Sequence, residues 1–217
     1  MKRENRRKIY AAVCLLVVFA LWTAAVSFID VQSIGPQDSV VGFAAINGWF
    51  HNLTGVHMAL YTITDWLSLV PFIVVMGFAF LGLVQWIRRK SIRKVDHDIL
   101  VLGGFYIVVM AVYVLFEVFV VNYRPVLIQG ILEASYPSST TVLVMCVMPT
   151  AVMQLNGRIK NAALRRCAAT AMTAFTAFMV IARLVSGVHW LTDIVGGALL
   201  SAGLVMMYDS LSHMEAK

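Results

Sequence analysis

Three short segments of the sequence hold the residue types that can bind and transfer a phosphoryl group. They are 123–125 (Tyr-Arg-Pro), 136–141 (Tyr-Pro-Ser-Ser-Thr-Thr) and 183–193, which contains Arg183, His189 and Asp193. His189 and Asp193 are four residues apart. On a helix they would share one face, and the carboxylate would fix the tautomer of the imidazole. The other ring nitrogen is then available as a nucleophile.

Two arginines in these segments lie where the membrane topology gives no reason for a positive charge. Arg124 and Arg183 lie at the ends of apolar stretches, on the side of the chain that carries few other basic residues. A charge next to lipid is costly unless it is paired. We therefore predict that both arginines bind an anion.

The segment after Pro137 is suited to start a helix that binds phosphate. Proline is tolerated in the first turn of a helix, where its missing N–H would have no partner anyway. The hydroxyls of Ser138, Ser139 and Thr140 then lie beside unpaired backbone N–H groups. Because a helix N-terminus of this kind binds phosphate, we predict that these three residues contribute to the site. Simple helix capping is the alternative.

Together these groups meet the needs of phosphoryl transfer. His189 supplies a nucleophile for in-line attack, and the arginines compensate the charge on the phosphoryl oxygens. The arrangement requires neither a metal nor another cofactor. Cys14, Cys146 and Cys167 fall in apolar stretches without metal-ligand spacing, so we predict neither a zinc site nor a disulfide.

The elements that must position these residues are membrane-spanning helices. The 217 residues are 60% hydrophobic and 13% charged, with a mean hydropathy of +0.83, which is too apolar for a soluble domain. Six stretches reach the roughly 20 residues that cross a bilayer, namely 9–29, 58–87, 98–121, 138–155, 167–185 and 189–210. None alternates with a period of two, so we predict an all-α, six-helix bundle in one domain, 1–217.

The basic residues predict the orientation of this bundle. They cluster in 1–8, 88–94 and 158–166, which lie on one side if there are six spans. The positive-inside rule makes that side cytoplasmic, so a multi-pass cell-membrane protein with cytoplasmic termini and an extracytoplasmic site is expected. The same rule explains the net charge of +6 without nucleic acid as a partner. Apolar residues at helical spacing within 30–57 predict a short interfacial helix on the outer side.

On these motifs the sequence resembles the type 2 phosphatidic acid phosphatase (PAP2) family of integral membrane lipid phosphatases, from about residue 30 to residue 205. The family has a lysine seven residues before Arg-Pro, then Pro-Ser-Gly-His, then Ser-Arg followed by a spaced His and Asp. Here these read Glu117 before Arg124-Pro125, Pro137-Ser138-Ser139-Thr140, and Ala182-Arg183 before His189 and Asp193. The resemblance implies a phosphohistidine at His189, orientation of His189 by Asp193, and phosphate ligands at Arg124, Arg183 and Ser138.

Two positions depart from the family pattern. Thr140 replaces the histidine that protonates the leaving group, and Glu117 replaces the lysine. Loss of a general acid costs on the order of 10²–10⁴ in rate, and it matters least when the leaving group is already a stable anion. An isoprenoid diphosphate or similar lipid diphosphate therefore fits better than a monoester.

The sequence offers several candidates for the missing general acid. Glu117 is either an acid kept protonated by burial or a structural carboxylate paired with Arg124 or Arg183. His51 or His57 of the first outer segment is another candidate acid.

The sequence thus favours a membrane lipid phosphatase or phosphotransferase. The alternative is a catalytically impaired PAP2-like protein that binds a phosphorylated lipid or a partner without turnover. A transporter ranks last, because its charges are expected near the midplane whereas the polar residues here cluster at one end.

Overall fold

The computed structural model describes residues 2–212 as a helical bundle. Its α-helices are α1 (Lys2–Phe28), α2 (Ala44–Thr54), α3 (Met58–Leu67), α4 (Leu69–Arg89), α5 (His97–Val118), α6 (Ser139–Arg158), α7 (Ala162–Val185) and α8 (Leu191–Ser212). Two short 3-10 turns, Pro36–Asp38 and Ile92–Lys94, lie in the connections. Within residues 2–212 the extended pairings are isolated bridges rather than strands, so the predicted all-α class is confirmed.

Six helical segments are long and apolar enough to cross a membrane. They are Arg3–Phe28, Met58–Arg89, His97–Val118, Ser139–Arg158, Ala162–Val185 and Leu191–Ser212, which confirms the six predicted spans. The second span combines α3 and α4, which meet at Ser68. Pro71 explains the break, because it has no N–H to donate to the carbonyl four residues earlier and its ring crowds that group. The fifth span begins earlier than predicted because the Asn161 side chain accepts hydrogen bonds from the backbone of Ala163 and Leu164.

The short helix predicted within 30–57 is α2, and it packs against the start of α8. Asn47 of α2 is fully buried. Its Nδ2 donates to Thr192 Oγ1 (2.9 Å), and its Oδ1 accepts from the Thr192 backbone N–H (3.2 Å). α2 is thereby fixed next to the residues that precede α8.

α8 lies at the centre of the bundle, where it packs against α1, α5 and α6. Glycines permit close approach at two levels. A Cβ at Gly203 would lie 2.8 Å from Leu16 of α1, and one at Gly196 would lie 2.6 Å from the ring of Tyr136. The Tyr136 hydroxyl is also hydrogen-bonded to Thr23 of α1 (2.7 Å). The chain just before α6 is therefore anchored to both α1 and α8.

Ion pairs join the helices at the end of the bundle that carries the basic segments, which we call the basic end. Lys8 of α1 lies 2.8 Å from Asp209 of α8. Arg158 at the end of α6 lies 2.8 Å from Asp98 at the start of α5. The opposite end, which we call the site end, holds 29–57, the non-helical segment 119–138 and the turn 186–190. All three predicted phosphate-binding segments meet there.

Candidate active site

His189 and Asp193 are both buried at the site end, but they do not contact each other as predicted. His189 lies two residues before α8 rather than on it. Its Nδ1 is 3.8 Å from Asp193 Oδ2, which is too far for a good hydrogen bond. The space between them is occupied by Ser135, whose Oγ is 3.0 Å from His189 Nδ1 and 2.5 Å from Asp193 Oδ2. The expectation that both residues share one helical face is therefore wrong, although the pair is in place.

The surroundings of His189 favour its neutral form. Burial is the largest cause that lowers its pKa well below the ordinary value of 6.5, and the charges of Arg124 and Arg183 lower it further. Its Nε2 lies 3.1 Å from Arg124 Nη1. Since a guanidinium only donates hydrogen bonds, Nε2 accepts this one. His189 Nε2 is thus unprotonated and next to an arginine.

Three groups fix the Asp193 carboxylate. Oδ2 accepts from Ser135 and from the backbone N–H of Trp190 (2.9 Å), and Oδ1 accepts from Asn122 Nδ2 (3.3 Å). The carbonyl of Asp193 also accepts from the backbone N–H of Ser138 (3.1 Å). Asp193 therefore connects the turn before α8 with the segments before and after Tyr136.

Arg124 is paired with a carboxylate that the sequence analysis did not single out. The backbone N–H of Arg124 donates to the Glu133 carbonyl (3.0 Å), which sets the two residues opposite each other where the segment 119–138 folds back on itself. Arg124 Nε lies 3.0 Å from Glu133 Oε2. This N–H is not directed at that oxygen and has no hydrogen-bond partner among residues 2–212, so we regard the contact as electrostatic.

The ion pair predicted for Glu117 is thus formed by Glu133. Glu117 is on α5, one turn after Tyr113, with which it interacts. It lines the same cavity as both arginines. Glu133 is closer to Arg124 because it is on the facing limb of the same loop, whereas Glu117 is on a helix whose end precedes that loop.

Arg183 is almost completely buried, with 2% of its side chain exposed. Its Nη1 donates to Thr64 Oγ1 (3.0 Å), and its guanidinium carbon lies 4.7 Å from the centre of the Tyr61 ring. Asp65 Oδ1 lies 3.7 Å from Nη2, within ion-pair distance. The buried Nε has no hydrogen-bond partner among the described residues, so Arg183 keeps an unused donor.

Both arginines border a cavity of about 480 Å³ between α3, α4, α5 and α6. Its polar lining includes Asp65, Glu117, Arg124, Glu133, Ser135, Ser139, Thr140 and Arg183. Its remaining wall is mostly apolar, with Phe72 and Val75 of α4, Val109 and Met110 of α5, and Val142, Leu143 and Val147 of α6. The cavity therefore suits a molecule that has an anionic head and an apolar tail.

The predicted helix N-terminus at 138–140 is present, with a shift in register. α6 begins at Ser139, with Ser138 as its N-cap, so Pro137 lies before the helix rather than in its first turn. The Ser138 side chain makes no capping hydrogen bond and instead accepts from Thr141 Oγ1 (3.1 Å). Ser139 and Thr140 line the cavity, whereas Ser138 is fully buried behind them.

The two histidines considered as substitute acids lie elsewhere. The ring of His51 packs 5.5 Å from that of Trp190, and burial lowers its pKa. His57 Nε2 lies 2.9 Å from the Thr54 carbonyl. Neither residue lines the cavity. Within residues 2–212, moreover, no group of three or more His, Cys, Asp or Glu side chains is arranged to hold a metal ion.

Sequence reasoning missed Ser135, Glu133, Asn122 and Thr64. Ser135 and Glu133 precede the Tyr136-Pro137 motif by one and three residues. The only indication in the sequence was that both residues lie close to a motif, because residues in a non-helical segment follow no helical periodicity. Asn122 had a similar signal, two residues before Arg124. Thr64 had none, because a threonine in an apolar span is commonly bonded to its own helix.

Comparisons with known proteins bear on the family and the fold of the chain. A family model described as the PAP2 superfamily matches residues 118–213, a range that contains the predicted site residues except Glu117. Among solved structures, the chain is similar to the first transmembrane PAP2 type phosphatidylglycerolphosphate phosphatase from Bacillus subtilis. The TM-score is 0.62 and the identity 16%, with 92% of this chain and 94% of that chain covered. A search of curated proteins found no match. Residues 118–213 thus match the PAP2 superfamily, and the chain as a whole has a fold similar to that of the transmembrane PAP2 type phosphatase.

Proposed function

We propose that this protein is a membrane lipid phosphatase or phosphotransferase that cleaves a lipid diphosphate, such as an isoprenoid diphosphate, through a phosphohistidine at His189. The observation that carries the proposal is the neutral, buried imidazole whose Nε2 lies 3.1 Å from Arg124, a residue that lines the polar side of an otherwise apolar cavity. A nucleophile, an anion ligand and a lipid-compatible wall are thus adjacent.

The proposed reaction has two steps. The lone pair of His189 Nε2 attacks the terminal phosphorus, the N–P bond forms, and the P–O bond to the rest of the lipid breaks with its electron pair on the departing oxygen. Water then attacks the phosphorus, the N–P bond breaks with its electron pair returned to Nε2, and the protons of the water leave with inorganic phosphate or pass to solvent. In a transfer reaction an acceptor hydroxyl attacks in place of water, takes the phosphoryl group and releases its proton to solvent. Arg124 and Arg183 stabilise the charge on the phosphoryl oxygens. These steps draw only on side chains of the protein.

The leaving group decides the substrate class. Thr140 lines the cavity where the family has a histidine, and a threonine hydroxyl is a poor acid at neutral pH. A lipid monophosphate leaves as a stable anion, so a diphosphate substrate needs little protonation. Glu117 and Glu133 also line the cavity and are the carboxyls available to modulate the charge there.

The Bacillus subtilis protein is named for phosphatidylglycerolphosphate, whose terminal phosphate is a monoester. Cleavage of that monoester gives an alkoxide leaving group, which needs an acid to protonate it. This lipid is therefore the most informative comparison substrate for this chain.

For the orientation in the membrane, we propose cytoplasmic termini and an extracytoplasmic site, because the basic segments all lie at the end opposite to the cavity.

A second candidate function is binding of a phosphorylated lipid without turnover. The observation in its favour is the contact between Arg124 and Glu133, since a carboxylate next to the phosphate ligand lowers the positive potential on which catalysis depends. Loss of the family's acid at Thr140 points the same way.

Release of inorganic phosphate by the purified protein in detergent tests the proposal. We expect release from an isoprenoid diphosphate, slower release from an isoprenoid monophosphate and from phosphatidylglycerol phosphate, and persistence of activity in a chelator. His189→Ala should abolish release, with Ser201→Ala as a control in the same part of the chain. If wild-type protein releases no phosphate from any of the three lipids but still binds one of them, the binding function is correct and the phosphatase proposal is wrong.

A further inference from the structure

A serine separates the histidine and the aspartate of this site. Ser135 belongs to the non-helical segment 119–138 and is 2% exposed. Its hydroxyl lies within hydrogen-bond distance of both His189 Nδ1 (3.0 Å) and Asp193 Oδ2 (2.5 Å). The direct distance between these two atoms is 3.8 Å. The carboxylate therefore acts on the imidazole through the hydroxyl.

The distances determine where the protons lie. The Ser135 hydroxyl lies 2.5 Å from Asp193 Oδ2 and donates to it, because an ionised carboxylate only accepts hydrogen bonds. Its lone pairs then face His189 Nδ1, and only a protonated Nδ1 makes a favourable contact there. The opposite side of the ring agrees, because Nε2 faces a guanidinium that can only donate.

The backbone fixes the hydroxyl in this position. The Ser135 N–H donates to the Asn122 carbonyl (2.9 Å), and the Asn122 side chain donates to Asp193 Oδ1 (3.3 Å). The second donor to Asp193 Oδ2 is the backbone of Trp190, the residue after His189. Serine, aspartate and histidine are thus held in one frame that is almost completely buried, with Ser135 bordering the cavity.

We infer that Ser135 is a positioning residue that connects Asp193 to His189 and holds the imidazole with its proton on Nδ1, which leaves Nε2 unprotonated toward Arg124. Its effect on turnover rests on the proposed function. Its effect on the tautomer does not, because it follows from the contacts within the protein alone. The two claims can therefore be tested separately.

Nitrogen NMR of protein labelled with ¹⁵N-histidine tests the tautomer. The chain has five histidines, and the His189→Gln spectrum identifies the signals of His189. We expect wild-type His189 to be protonated on Nδ1 near neutral pH, and Ser135→Ala to weaken this preference, because Arg124 alone then favours that tautomer. Ser201→Ala serves as the matched control, since Ser201 is a buried serine of α8 that donates to the Gly197 carbonyl (2.7 Å). Its spectrum should match that of the wild type.

Phosphate release gives the second readout. A misoriented nucleophile costs about 100-fold in rate, so Ser135→Ala should lower kcat by about that factor with a smaller change in KM, and Ser201→Ala should change neither. A wild-type His189 that is protonated on Nε2, or a Ser135→Ala variant with unchanged tautomer and unchanged kcat, would overturn the inference. If the wild type releases no phosphate, the proposed function fails, and the NMR result alone decides the role of Ser135.

Discussion

The two ends of the bundle contain similar ion pairs in opposite surroundings. At the basic end, Arg89 and Arg158 reach Asp96 and Asp98 with 26–43% of each side chain exposed, and the Arg89 guanidinium lowers the pKa of the Asp96 carboxyl. At the site end, Arg183 is 2% exposed, and its Nε has no hydrogen-bond partner among residues 2–212.

This difference separates structural charges from functional ones. Exposed ion pairs contribute about 0–1 kcal/mol to stability, and the positive-inside rule already explains those at the basic end. A buried guanidinium with an unused donor is destabilising for the fold alone, and the phosphate ligand that we propose would account for it. Burial, rather than residue type, distinguishes Arg183 from the arginines of the basic end.

Substitution of one arginine at each end gives the largest expected contrast. Arg124→Ala removes a donor that faces the reacting phosphoryl group, and such a loss costs about 10²–10³ in rate. Arg158→Ala removes a pair with Asp98 at the other end and should leave kcat/KM within about twofold, because exposed pairs contribute little. Phosphate release by the two variants is the measurement. Equal losses in both would show that the ends do not differ in function.

Restoring the family's acid tests why a diphosphate is preferred. Thr140→His places a titratable group on the cavity wall, and we expect about a 10–100-fold gain in kcat/KM for an isoprenoid monophosphate. The gain for the diphosphate should be small, since its leaving group needs little protonation. Thr140→Asn controls for the size of the new side chain. The same gain on both substrates would contradict the leaving-group argument.

The depressed pKa of His189 predicts an unusual pH dependence. A histidine with the ordinary pKa of 6.5 is about tenfold less available as a neutral nucleophile at pH 5.5 than at pH 7.5. Burial lowers the pKa of His189, so its imidazole stays neutral as the pH falls through 6.5. We expect kcat at saturating diphosphate to change by less than about threefold between these pH values. An acid limb with its midpoint at 6.5 or above would argue against a buried neutral nucleophile.

The smallest expected effect of a substitution at the site concerns Glu133. Its carboxylate lies next to Arg124 and competes with a phosphate for the guanidinium. Removal of one such partly exposed charge is worth about 1 kcal/mol, so Glu133→Gln should lower the inhibition constant of inorganic phosphate about fivefold. Asp98→Asn, at the basic end, should leave it unchanged. A weaker affinity in Glu133→Gln would mean that Glu133 orients Arg124 for the ligand.

The sequence was sufficient to predict the six spans and to single out four polar residues that the structure brings together at the site end. Long apolar runs have few alternatives to membrane helices, and Arg124, Arg183, His189 and Asp193 stood out because polar residues are rare in such a chain. Ser135 and Glu133 could not be predicted. Their partners depend on how the segment 119–138 folds back on itself, with Tyr123 beside Ala134. Residue spacing gives no information on such pairing within a loop.

The most direct test of the account is the identity of the phosphorylated residue. Protein is mixed with an isoprenoid diphosphate carrying ³²P in its terminal phosphate, quenched with alkali to preserve phosphohistidine, and digested for mass spectrometry. The account predicts a phosphoryl group on His189 that is absent from His189→Gln. Label on another residue, or phosphate release that proceeds at the wild-type rate in His189→Gln, would contradict it.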